Sequence, residues 1–151
     1  GPEGGGRNRG EACHIYDLFT FLTGAQVRDV QARAIAPTTG YYTSSDNFVA
    51  TLSFADGSLA TLTYTALGAP GYSKERLDLF VDGTVISLED YRSLIIAGGK
   101  EKPFMTRTAD KGQKEELLAF AQAIKGQGEW PIPLWQQLQA TRISFAIDAI
   151  I

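Results

Sequence analysis

The chain has 151 residues, a single histidine, a single cysteine and a formal net charge of -3. That length suits one domain with a proper hydrophobic core, and the scattered lysines and arginines leave no basic footprint for nucleic acid. No apolar stretch is long enough to cross a bilayer, the start does not read as a secretory signal, and a lone Cys13 cannot close an internal disulfide, so the expected setting is a reducing cytoplasm.

The first predicted element is a helix from about Gly10 to Thr23, with Ile15, Leu18, Phe19 and Leu22 as its buried stripe and Gly24 as its stop. Val27 to Ala36 alternates as a strand and is broken by Pro37-Thr38-Thr39-Gly40. A hairpin follows. Phe48, Ala50, Leu52 and Phe54 alternate with Val49, Thr51 and Ser53, Asp56-Gly57 supplies the turn, and Ala60, Leu62, Tyr64 and Ala66 line the returning strand. Its other face carries Thr51, Thr61, Thr63 and Thr65. After a Gly68-Ala69-Pro70-Gly71 loop come strands over Arg76–Val81, Thr84–Leu88 and Tyr91–Ile96, with Asp82-Gly83 as a second tight turn. Lys100 to Thr108 suits an extended edge, where Pro103 is tolerated. Two helices close the order. Leu117, Phe120, Ala121 and Ile124 mark the first, which ends at Gly126. Leu134, Leu138, Thr141 or Arg142, and Phe145 mark the inner stripe of the second, with Pro133 in its first turn. Helix, run of strands, then helices is an α+β order: a mainly antiparallel open sheet with helices packed on one face. Residues 1–151 read as a single domain, and the apolar finish Ile147-Asp148-Ala149-Ile150-Ile151 reads as a piece of a longer chain.

His14 carries most of the chemistry. Glu11, His14 and Asp17 fall at three-residue intervals, so on a helix they neighbour one another. Imidazole exchanges protons near neutral pH, and a nearby carboxylate can fix its tautomer. The same pattern also fits a half-buried structural histidine. The glycine run before it lacks the Gly-x-Gly-x-x-Gly spacing after a strand that a dinucleotide site needs, and no Gly-Lys-Ser/Thr phosphate loop is present. A loop that lets the backbone approach a substrate or another domain fits better. Cys13 points to a different side of the helix from His14, which argues against a nucleophile–base pair. With no second histidine and no Cys-x-x-Cys, no metal site is expected. Lys74-Glu75-Arg76 is a compact polar cluster at a strand start that could hold hydroxyls or a carboxylate, or simply be solvated.

Several motifs in this order resemble the C-terminal domain of the Gfo/Idh/MocA oxidoreductases. They are Gly-Gly-Gly-Arg, Gly10-Glu11-Ala12-Cys13-His14-Ile15-Tyr16-Asp17-Leu18, Phe21-Leu22-Thr23-Gly24, Asp46-Asn47, Leu52-x-Phe54-x-Asp56-Gly57-Ser58, Ser73-Lys74-Glu75-Arg76-Leu77 and Ala140-Thr141-x-x-Ser144-Phe145. The branch with Gly-Glu-x-Cys-His is the most similar. The resemblance implies a dihydrodipicolinate-reductase-like C-terminal domain that binds substrate and oligomerises, preceded in the longer protein by a Rossmann domain holding NAD or NADP. No cofactor is expected on this chain by itself, and the isolated chain is expected to be inactive. His14 maps onto the family's catalytic histidine, acting on the hydroxyl of a sugar, polyol or related small molecule. A lysine of the nucleotide domain normally assists. Many members carry an aspartate four residues before the histidine, where this chain has Gly10, so Glu11 is the second catalytic candidate. Arg7, Asp17 and Lys74, polar residues within the matched motifs, are the expected substrate contacts. The family's open sheet face commonly builds dimers or tetramers, which suits the threonine-lined face. The alternative is a non-enzymatic scaffold or oligomerisation module of the same fold.

Overall fold

A computed structural model describes residues 6–151. Gly4 and Gly5 of the glycine run lie outside the described residues. The chain divides into two compact units: residues up to Leu67 together with Ile132–Ile151, and Gly68–Pro131.

The first unit holds α1 (Cys13–Thr23), β1 (Val27–Ala34), β2 (Asn47–Phe54), β3 (Leu59–Thr65) and α3 (Leu134–Ile150). The second holds β4 (Arg76–Val81), β5 (Thr84–Glu89), β6 (Ser93–Ala97), β7 (Phe104–Met105) and α2 (Gln113–Ile124). The strands therefore fall in two sheets, β1-β2-β3 and β4-β5-β6-β7, rather than in one continuous run. The break lies at the Gly68–Gly71 loop, as glycine and proline interrupt the ladder after β3. Every strand pairing is antiparallel, as the Asp-Gly turns require.

In the first sheet, alternation does what the sequence demands. Phe48, Ala50, Leu52 and Phe54 are buried, and Thr51, Thr61, Thr63 and Thr65 are exposed. Thr51 stands opposite Thr61, and Asn47 opposite Thr65. At the hairpin turn the Ser58 N–H and hydroxyl both donate to Asp56, at 3.0 and 2.8 Å, and hold its carboxyl below the ordinary range. Gly24 ends α1 in a left-handed conformation (φ 62°), its N–H donating to the Thr20 carbonyl at 2.9 Å.

The helices differ from expectation in phase. The first begins before Gly10: residues 6 and 7 are already helical, and a π-helical turn over Asn8–Ala12 leads into α1. Its fully buried file is Asn8, Ala12, Tyr16 and Thr20, with Phe19 beside it. Of the expected stripe only Phe19 is buried; Ile15 and Leu18 are half-buried and Leu22 is exposed. In α3 the buried residues are Ala140, Ile143, Ser144 and Ile147, whereas Leu134, Leu138 and Phe145 face outward. Both corrections have one cause. The α1 and α3 helices pack directly on each other, and small side chains (Ala12, Thr20, Ala140, Ser144) share the buried faces with Tyr16, Phe19, Ile143 and Ile147, while Leu22, Leu134, Leu138 and Phe145 are left outside. Pro133 is the N-cap of α3 and precedes its first helical residue, Leu134. No residue of α2 is buried, so Leu117, Phe120, Ala121 and Ile124 do not form an inward stripe. Phe120 instead meets Trp130 edge-on at 5.1 Å.

Gln139 buckles the first unit. Its amide oxygen accepts from the Val27 N–H at 2.9 Å, and its NH2 donates to the Ala25 carbonyl at 3.0 Å and to the Thr20 hydroxyl at 3.1 Å. One side chain of α3 thus fixes the end of α1 and the start of β1.

Candidate active site

His14 is the second residue of α1 and is exposed. Asp17 follows three residues later on the same helix and is half-buried, so the two occupy neighbouring surface positions. Glu11 is exposed and lies in the π-helical turn just before α1. Such turns widen the helix locally and are frequent at functional sites. Cys13 is half-buried.

Arg7 stands one turn earlier. Its guanidinium lies 3.8 Å from the Asp46 carboxylate at the foot of β2. A hydrogen bond to the Tyr64 hydroxyl on β3 raises its pKa above the ordinary value, and the charges of Asp46 and Glu11 reinforce the shift. Arg7, Glu11, Asp46 and Tyr64 therefore form one electrostatic neighbourhood. Asn47, buried beside Asp46, keeps this corner in place: its Oδ1 accepts from the Thr65 hydroxyl and the Ala66 N–H, both at 2.9 Å.

Lys74 belongs to the second unit, exposed at the approach to β4. Its neighbour Glu75 is committed within that unit. The Glu75 N–H donates to Asp90 at 3.0 Å, and the carboxylate accepts from Lys111, whose ammonium also lies 4.8 Å from the Tyr91 ring centre.

Behind the exposed face of α1 lies a polar node that periodicity did not show. Asn8 is fully buried. Its Oδ1 accepts from the Tyr16 hydroxyl at 2.6 Å, and its Nδ2 donates to the Ser144 carbonyl at 2.8 Å and to Asp148 Oδ1 at 2.6 Å. Arg9 pairs with the other Asp148 oxygen and lies 5.0 Å from the Phe145 ring centre. Burial, helped by the Asp148 charge, pushes the Tyr16 phenol well above its ordinary pKa, so it stays a donor. Among the described residues every buried side-chain polar atom has a partner. The available signal was Asp148 itself, a lone acid in an otherwise apolar helix end. Asp46 and Tyr64, the partners of Arg7, carried no such mark. Among the described residues no three His, Cys, Asp or Glu are grouped so as to hold a metal.

Comparison with known proteins gives a consistent picture. The chain is 28% identical over 147 residues to an uncharacterized oxidoreductase, YrbE of Bacillus subtilis, covering 89% of this chain and 42% of the relative. Its fold matches UDP-N-acetylglucosamine 3-dehydrogenase GnnA of Acidithiobacillus ferrooxidans with a TM-score of 0.73 at 20% identity, over 92% of this chain and 45% of that one. It also matches the WlbA dehydrogenase of Bordetella pertussis, solved in complex with NADH and UDP-GlcNAcA, with a TM-score of 0.59 at 20% identity, over 96% of this chain and 42% of that one. The chain thus spans less than half the length of these relatives. A family model described as the GFO/IDH/MocA C-terminal domain matches residues 2–89, more than half of the sequence, and the chain belongs to that family of oxidoreductase C-terminal domains.

Proposed function

We propose that this chain is the substrate-binding and catalytic domain of an NAD(P)-dependent oxidoreductase acting on a sugar, polyol or related hydroxyl substrate. The observation that carries the reading is an exposed His14 at the start of a helix whose opposite face is anchored by buried hydrogen bonds. The names of GnnA, a UDP-sugar dehydrogenase, and of WlbA, seen with NADH and a UDP-sugar acid, support this substrate and cofactor class.

The described residues do not fit a dinucleotide cradle. Their strands pair only antiparallel and no Gly-x-Gly-x-x-Gly follows a strand. The nucleotide, which supplies the hydride chemistry when bound, is assigned to a Rossmann domain outside residues 6–151. This chain's share is proton handling. His14 takes the proton from the substrate hydroxyl in oxidation and returns it in reduction. Asp17 or Glu11 orients the imidazole, Glu11 standing in for the aspartate that Gly10 replaces. Arg7, on the turn before α1, binds polar groups of the substrate. A cytoplasmic setting fits a chain with one cysteine, and no described helix is long and apolar enough to cross a membrane. Calorimetry separates this assignment from the scaffold reading: the full-length protein is expected to bind NADH or NADPH at micromolar concentration and this chain alone to bind neither. Micromolar binding by residues 1–151, or none by the full-length protein, overturns it.

The same reading includes self-association through the outer face of β1-β2-β3. That face exposes Thr51, Thr61 and Thr63 beside a groove of about 390 Å³ lined by Gln31, Arg33, Val49, Thr51 and Ile150. Thr65 contributes less, because its hydroxyl is engaged by Asn47. Sedimentation at several concentrations is expected to show a dimer or higher oligomer, and Thr61→Arg with Thr63→Arg to convert it to monomer by like-charge repulsion across a self-complementary contact. A strict monomer at all concentrations removes the interface.

A further inference from the structure

We propose that Asn8 is a positioning residue that sets the rotation of α1 and thereby the direction of His14, a proposal that rests on reading His14 as the acid–base group. The argument begins with the file Asn8, Ala12, Tyr16 and Thr20. These residues are spaced by four and are all fully buried. Tyr16 lies two residues beyond His14, about 200° around an α-helix, so whatever holds Tyr16 determines where His14 points. The Tyr16 hydroxyl is held by Asn8 at 2.6 Å.

Asn8 is itself held by α3. An amide offers two N–H donors and one carbonyl acceptor. Here Nδ2 donates to the Ser144 carbonyl and to Asp148, and the carbonyl takes the tyrosine proton. Arg9, from the same turn, grips the second Asp148 oxygen. The turn before α1 is thus attached to α3 at two adjacent side chains, and α1 is locked to that turn by a third. Apolar packing alone, without directional bonds, would allow α1 to rotate slightly on α3. Directional bonds at these lengths do not. A displacement of about 1 Å in a reacting group can cost about a hundredfold in rate, so the node has a catalytic consequence although none of its atoms reaches the substrate.

The test uses the full-length protein. The pair Asn8→Leu with Tyr16→Phe replaces both partners of the buried hydroxyl–amide bond by apolar groups of similar shape, which keeps a buried contact, while Arg9 still holds the second Asp148 oxygen. That variant is expected to fold, to keep KM within about threefold, and to lose about 10- to 100-fold in kcat, with the limb of the pH–rate profile that belongs to the imidazole displaced. Tyr16→Phe alone removes a single hydroxyl and serves if the pair does not fold; it is expected to lower kcat about 5- to 20-fold on the same grounds. Asp148→Asn keeps an acceptor for Asn8 and is expected to retain turnover within a few-fold, whereas Asp148→Ala is not. Parental kcat and an unmoved pH profile in a folded Tyr16→Phe or double variant overturn the positioning role. His14→Ala is measured alongside. If His14→Ala slows turnover while the folded node variants keep parental kcat and pH profile, the acid–base reading stands and the Asn8 proposal falls. If His14→Ala retains turnover, both fall.

Discussion

Replacing His14 with alanine in the full-length protein is expected to slow turnover by roughly two to four orders of magnitude, the range for a positioned acid–base group. Cofactor affinity should change little, because the nucleotide is assigned to another domain. Folding should survive, since the side chain is exposed and α1 is held by its opposite face. His14→Gln should keep much of the substrate affinity and lose the rate, as an amide can hydrogen-bond but cannot shuttle the proton. Glu11→Gln distinguishes two roles: a smaller loss if Glu11 orients the imidazole, a comparable one if it accepts the proton. Steady-state kinetics with a pH profile decides. Near-parental turnover by His14→Ala would return the histidine to a structural role.

The second large effect is on stability and tests the phase of α3. Ile147 is fully buried and Leu138 is 46% exposed, although the sequence pattern places Leu138 in the inner stripe. Ile147→Ala is expected to cost about 2–5 kcal/mol, through lost burial and the cavity left behind. Leu138→Ala should stay within about 0.5 kcal/mol, as for most surface positions. Urea unfolding of both variants is a direct comparison. The opposite order would mean that Leu138, and not Ile147, faces the core.

That contrast also shows what could be read from the residues. Strands were legible because alternation and turn chemistry agree. The strand Arg76–Val81 lies where its pattern and the Asp82-Gly83 turn place it, and the face of Phe48, Ala50, Leu52 and Phe54 is the buried one. Helix existence was legible as well. Helix phase was not, because periodicity gives most weight to bulky apolar residues, whereas the buried faces of α1 and α3 also carry alanine, threonine and serine. The candidate site divides along the same line. His14, Glu11 and Asp17 lie within one stretch of seven residues, so spacing alone brings them together. Asn8 and Asp148 are 140 positions apart, and no local pattern can announce that pair.

The distance between those partners bears on how the domain is assembled. Residues 68–131 form a unit of their own, inserted between the two parts of the first. During synthesis, α1 leaves the ribosome long before α3 exists, and for that interval Asn8, Arg9 and Tyr16 have no counterpart to hold. Joining ends separated by 140 positions carries a loop-closure cost of roughly 4 kcal/mol if the intervening chain is disordered. Prior folding of the inserted unit shortens the effective loop. The helix that carries His14 therefore acquires its final orientation late, after residues 134–150 have been made and docked.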